Sequence, residues 1–186
     1  MSQPVLLVGG FGLPPQLLAP LARELYGRVV PTGFTVGCGE ALTRRVVAAI
    51  DASDAPVTLI GHSRGGQLAR VAAARRADRV QRLISVGTPS SIGPPQRWGV
   101  PMMTALLRRV PNPIALDCAH GACCAEFRRD LAAPVTVPWT AIWSGRDRIV
   151  PPHEARHGGA DCVQVDVSHV GLVTSSRGRA AIRSAL

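Results

Sequence analysis

The sequence predicts an α/β fold built on a largely parallel sheet, and three observations carry that prediction. Apolar runs of strand length alternate with stretches of helical periodicity along the whole chain. Where the third such run meets the helix after it, the chain reads Gly61-His62-Ser63-Arg64-Gly65, a glycine-framed serine at a strand-to-helix turn. At 186 residues, 46% hydrophobic and 18% charged, the chain is long and apolar enough for one sizeable core. A single domain over residues 1–186 is expected, with no internal repeat, low-complexity tract or linker to divide it.

Taken in order, the strands are expected at 5–8, 28–30, 57–60, 82–86, 139–143 and 162–167, where the runs VLLV, RVV, VTLI, RLISV, WTAIW and CVQVDV are rich in β-branched and other apolar residues. Helices are expected at 15–26, 40–50, 64–76, 101–110, 124–131 and 176–186. The first strand runs into Gly9-Gly10-Phe11-Gly12, whose glycines free the backbone to curl close to a ligand. After the fourth strand comes a proline-punctuated excursion at about 88–117, with Met103 and Leu107 one helical turn apart. A helix packed on the sheet explains it better than a lid lending an acyl-chain pocket.

The spacing around Ser63 has a steric cause. A very sharp turn holds the serine in a strained conformation, and side chains at Gly61 and Gly65 would collide. The hydroxyl then projects above the sheet edge, and the Arg64 amide at the helix N-terminus can donate to a developing oxyanion. A serine hydroxyl is a poor nucleophile unless a histidine takes its proton and a carboxylate orients that histidine. Asp147 lies just beyond the strand in AIWSGRDRIVPP, and His169 just beyond the next in VQVDVSHVGL. In a parallel sheet both fall on the edge that carries Ser63. Asp147 has a duller reading as a turn cap or a partner of Arg146 or Arg148, and Asp166 is the understudy for the orienting acid. His62 reads as a packing or hydrogen-bonding residue, while His120, His153 and His157 have no distinguishing spacing.

The formal net charge of +9 comes from arginine alone, since the sequence contains no lysine. The arginines are scattered in pairs, such as Arg44-Arg45 and Arg108-Arg109, and only 4% of residues are aromatic, which argues against nucleic-acid binding. The surplus would suit an acidic partner by electrostatic steering, and genomic composition bias explains it equally well. Cys38, Cys118, Cys123, Cys124 and Cys162 are an odd number in a chain that needs no staples, so thiols are expected. A zinc cluster of Cys118, Cys123 or Cys124 with His120 is disfavoured by the spacing, and no metal or cofactor is expected. No apolar run is long enough to span a membrane, and the N-terminus lacks the pattern of an export signal, so a cytoplasmic protein is expected.

From VLLVGGFG to the terminal helix the chain resembles a small α/β-hydrolase, similar in size and layout to minimal lidless bacterial lipases and to short lipase-like hydrolases of actinobacteria. The resemblance implies the α/β-hydrolase fold in a minimal form: about six mostly parallel strands with helices on both faces, the two leading antiparallel strands of larger relatives missing. It implies Ser63 as nucleophile, His169 as general base and then acid, and Asp147 as the orienting carboxylate, in the expected chain order. The family's oxyanion loop usually reads H-G-x-G; here it reads Gly9-Gly10-Phe11-Gly12, so the implied amide donors are Phe11 and Arg64. Candidate pocket residues are Gly10, His62, Trp98, Met102, Met103 and Leu172. The expected activity is hydrolysis of a carboxylic ester or thioester acting on a small-molecule or acyl substrate. The alternatives are an acyltransferase or cyclase served by an acidic acyl or peptidyl carrier protein, and a non-catalytic binding module.

Overall fold

The computed structural model describes residues 3–35, 37–92 and 122–186. Among them, strands β1 (Val5–Val8), β2 (Arg28–Val29), β3 (Val57–His62), β4 (Val80–Val86), β5 (Trp139–Trp143) and β6 (Asp161–Gln164) form one sheet in the order β2-β1-β3-β4-β5-β6. Every neighbouring pair is parallel. Every residue of β1 and β3 is buried, which is why these strands read as continuous apolar runs rather than alternating ones.

Successive strand residues face opposite sides, so adjacent apolar residues feed two cores. Leu6, Leu59 and Leu83 are in register and pack with Val46 and Ile50 of α2 (Gly39–Asp51), Leu68 and Val71 of α3 (Arg64–Arg75) and Phe127 of α4 (Ala125–Ala132). Their neighbours Leu7, Ile60 and Ile84 pack on the other face with Leu21 of α1 (Ala19–Glu24), Leu172 of α6 (Gly171–Thr174) and Ile182 of α7 (Ser176–Ser184). The expected layering of helices on both faces follows from this division.

An ion-pair network joins the helices of the first face. Buried Glu40, in the first turn of α2, accepts from Arg75 Nη1 (3.0 Å) and Nη2 (2.8 Å), and Arg75 Nε donates to Asp130 (2.7 Å). This bidentate geometry compensates the desolvation of the carboxylate.

Several boundaries differ from expectation for local reasons. The helix expected over 15–26 is a 3-10 turn, Pro15–Leu18, followed by the separate α1, because Pro20 lacks the N–H that would continue the hydrogen-bond ladder. The last strand stops at Gln164, opposite the final residue of β5, and the chain then turns through Val167 N–H to Val165 O. Two single-turn helices, α5 (Pro152–Ala155) and α6, are too short to show as periodicity in the sequence. Strand β3 extends to His62 and β4 begins at Val80, while β2 is two residues long. The helix expected at 101–110, most of the excursion, Cys118, His120 and the candidate pocket residues Trp98, Met102 and Met103 lie outside the described residues. Cys38 and Cys124 bring their sulfurs to 3.3 Å without a disulfide, and the exposed Cys162 is a thiol. No described helix is long and apolar enough to cross a membrane.

Candidate active site

Ser63 ends β3 and precedes α3 with φ 54° and ψ −128°, a left-handed conformation costly for a side-chain-bearing residue. The surrounding structure holds it there: its N–H donates to Val86 O (2.8 Å), and its carbonyl accepts from Gly66 N–H (2.9 Å). The glycine frame is required by contact. A Cβ on Gly61 would strike the backbone of Gly65 and Gly66, and one on Gly65 would strike the carbonyls of Val8 and Gly9. Helix α3 can therefore lie directly against the ends of β1 and β3, which brings its N-terminus, led by the Arg64 amide, beside the partly exposed serine.

The carboxyl ends of the neighbouring strands supply the other groups. Asp147 follows β5, is 3% exposed, and accepts through Oδ1 from the amides of Ile149 (2.8 Å) and Val150 (2.9 Å). Its Oδ2 accepts from Nδ1 of His169 at 2.6 Å. His169 follows β6 and is 6% exposed. An ionised carboxylate has no proton to give, so Nδ1 carries the hydrogen and Nε2 of the neutral ring presents a lone pair. Burial alone would raise the Asp147 carboxyl; the hydrogen bond from His169 and, once that ring is protonated, its charge, with the Val150 and Ile149 amides, outweigh it and hold the group below its ordinary value. Asp166, the understudy, is exposed and accepts from Gln164 instead.

Gly87, at the end of β4 between the serine strand and the acid strand, was not singled out in the sequence. It has φ +53°, and a Cβ there would lie 2.8 Å from Leu172 Cδ1 and 3.3 Å from both Asp147 Oδ2 and His169 Nδ1. The acid–histidine pair thus rests against bare backbone, a requirement that the sequence announces only as a glycine in GTP after a strand.

His62 is not a proton acceptor for the serine. Its Nε2 donates to the carbonyl of His169 (3.0 Å), its ring lies 4.6 Å from the His169 ring, and burial pushes its pKa down to about 3, so it stays neutral. The candidate pocket residues His62, Gly10 and Leu172 are all buried. His62 lies under His169, Leu172 is fully buried beneath Gly87, and Gly10 is packed so tightly on the turn that a Cβ would approach Ser63 Cβ and His62 Nδ1 to 2.9 Å each. That close packing sets the loop after β1 against the serine. The Phe11 amide in this loop has no acceptor among the described residues.

The family model described as alpha/beta hydrolase fold matches residues 51–112, which include the Ser63 turn. Solved structures match over nearly the whole chain. One of the metagenome-derived lipolytic enzymes LipS and LipT is 19% identical, with TM-score 0.69 over 98% of this chain and 91% of its own. The enol-lactonase from Burkholderia xenovorans LB400 is 22% identical, with TM-score 0.67 over 100% and 91%. The chain has the α/β-hydrolase fold. A thermophilic esterase from Thermogutta terrifontis shares this hydrolase fold at 21% identity, with TM-score 0.65 over 99% of this chain and 89% of its own. Comparison with curated protein sequences gives no match.

Within the hydrolase fold, the loop after β1 departs from the usual H-G-x-G at Gly9. A Cβ at Gly9 would meet Leu18 Cδ1 at 3.6 Å and Thr35 Oγ1 at 3.9 Å, ordinary contacts, so sterics do not demand glycine there. The Gly9 carbonyl instead accepts a hydrogen bond from the Thr35 hydroxyl (2.9 Å).

Proposed function

We propose that the protein is a serine hydrolase that cleaves a carboxylic ester or thioester through an acyl-Ser63 intermediate. The observation that carries this reading is the buried 2.6 Å bond between Asp147 and His169, on the sheet edge where Ser63 is held in a left-handed turn. A binding module has no need for a carboxylate–imidazole pair kept dry beside a strained serine.

In the proposed reaction Ser63 Oγ attacks the carbonyl carbon while its proton passes to Nε2 of His169. Asp147 steadies the imidazolium that results. The amides of Phe11 and Arg64 receive the oxyanion, and loss of one such donor typically lowers kcat 10²–10³-fold. Collapse of the tetrahedral intermediate expels the alcohol or thiol with the His169 proton. Water then repeats the sequence on the acyl-enzyme and returns a carboxylic acid. The lipolytic, lactonase and esterase descriptions of the fold relatives fit this acyl chemistry.

The test is turnover of p-nitrophenyl butyrate and of an acyl-thioester by the wild type and by Ser63→Ala. Hydrolysis abolished in the variant is expected; equal rates in the two proteins would refute the proposal. An acyl-enzyme that forms but resists water would redirect it to transfer onto a second acceptor.

A further inference from the structure

We infer that Thr35 is a positioning residue for the oxyanion hole, acting through a brace made by the loop after β2. The inference rests on Ser63 being the nucleophile.

Thr35 is fully buried and has φ +53°. A β-branched residue at positive φ is a true outlier, kept only where the surroundings over-determine it. What over-determines it is a set of bonds aimed at the two oxyanion elements. Thr35 Oγ1 donates to Gly9 O (2.9 Å). That bond uses its single hydrogen, so the 3.1 Å contact with buried Thr32 Oγ1 has Thr32 as donor. The two hydroxyls form a directed relay, Thr32 to Thr35 to the Gly9 carbonyl. One residue earlier, the Phe34 carbonyl accepts from Gly12 N–H (2.7 Å). Two residues later, the Gly37 carbonyl accepts from Arg64 Nη2 (2.5 Å).

The consequence is geometric. Gly9 and Gly12 flank the Phe11 amide, and both are fastened to this loop; Arg64, whose amide is the second proposed donor, is fastened to it through its side chain. Phe34 and Thr35 therefore hold the loop that carries one proposed donor, and Gly37 holds the side chain of the residue that carries the other. The loop after β1 has no side chain at Gly9 with which to anchor itself, and the Thr35 hydroxyl supplies the anchor from outside. The strain at Thr35 is the cost of aiming that hydroxyl inward.

The test compares Thr35→Val, Thr35→Ser and wild type with p-nitrophenyl butyrate, alongside hydrogen exchange of the Phe11 and Gly12 amides. Valine keeps the shape and removes the donor; serine keeps the donor and the bond. Expected for Thr35→Val is a kcat roughly tenfold lower, below the 10²–10³ of outright donor loss. KM and the pH profile of kcat should barely change, because the acid–histidine pair is untouched. Exchange at Phe11 and Gly12 should quicken, and Thr35→Ser should recover most of the loss. A Thr35→Val enzyme with wild-type kcat, or a Thr35→Ser enzyme as poor as the valine variant, overturns the inference. If Thr35→Val does not fold, Thr35→Ala removes the same donor while easing the β-branched strain at positive φ, and an unchanged kcat there overturns it equally. A wild type with no turnover refutes the proposed hydrolase, and hydrogen exchange still decides the brace: unchanged protection in Thr35→Val overturns it.

Discussion

Replacing Asp147 by asparagine exchanges one oxygen for an NH2 and inverts the proton inventory of the site. Oδ1 accepts two backbone amides, Ile149 at 2.8 Å and Val150 at 2.9 Å. The asparagine must keep its carbonyl oxygen there, since the flipped amide would point two donors at two donors. Its NH2 then takes the place of Oδ2, 2.6 Å from Nδ1 of His169. A donor at that position requires a lone pair on Nδ1, which moves the ring proton to Nε2, the atom that has to accept the proton of Ser63. The serine is left without a base, and kcat should fall on the order of 10⁴-fold, about 5 kcal/mol of transition-state stabilisation. Folding should suffer far less, because both backbone bonds survive. Asp147→Ala provides the contrast, since it strands the buried Val150 N–H at roughly 1–3 kcal/mol and also frees the part-buried Ile149 N–H. The assay is kcat for p-nitrophenyl butyrate with thermal unfolding of all three proteins. An asparagine variant that keeps a tenth or more of wild-type kcat, or that loses activity only in step with its folded fraction, would refute the tautomer argument.

Gly87→Ala should lower both Tm and kcat. The positive φ disfavours alanine by upwards of ~1 kcal/mol, and the new Cβ presses on Leu172, Asp147 and His169; wild-type kinetics would contradict the contact. His62 makes stability fall with acid in a defined window. Its folded pKa of about 3 lies below its ordinary 6.5, so between those values the unfolded chain binds a proton that the native one refuses. Urea unfolding across that range should therefore show stability rising with pH, with a flatter curve for His62→Phe; the same slope in both proteins would remove His62 as its source. Glu40→Gln should destabilise the fold at neutral pH by weakening the Arg75 network. Because the Glu40 carboxyl is held below 4.5, chiefly by its hydrogen bond from Arg75, its stabilisation is present above that value and lost as pH falls through the folded pKa. The wild-type and Glu40→Gln unfolding curves should accordingly converge in strong acid, and a gap that persists there would contradict this.

What the sequence made legible was what strand order and local sterics determine. Ser63, Asp147 and His169 each sit just past an apolar run, and a parallel sheet brings such positions to one edge whatever the loops do. The frame of Gly61 and Gly65 was readable because its cause lies within a few residues. Thr35 was hidden because its meaning lies 26 residues away, at the Gly9 carbonyl, and nothing in its own neighbourhood signals a buried, left-handed threonine. Gly87 was hidden likewise, being a glycine for the sake of side chains that arrive from β5 and β6. The burial of His62, Gly10 and Leu172 was likewise not legible, because depth depends on side chains that arrive from distant parts of the chain.

The central claim, that Ser63 is an activated nucleophile, is tested most directly by intact-mass analysis after exposure to a fluorophosphonate, on the wild type and on Ser63→Ala. A single adduct mapping to the peptide that contains Ser63, and absent from the alanine variant, is the expected result. A wild type that takes up no label, or a label that persists in Ser63→Ala, would contradict it.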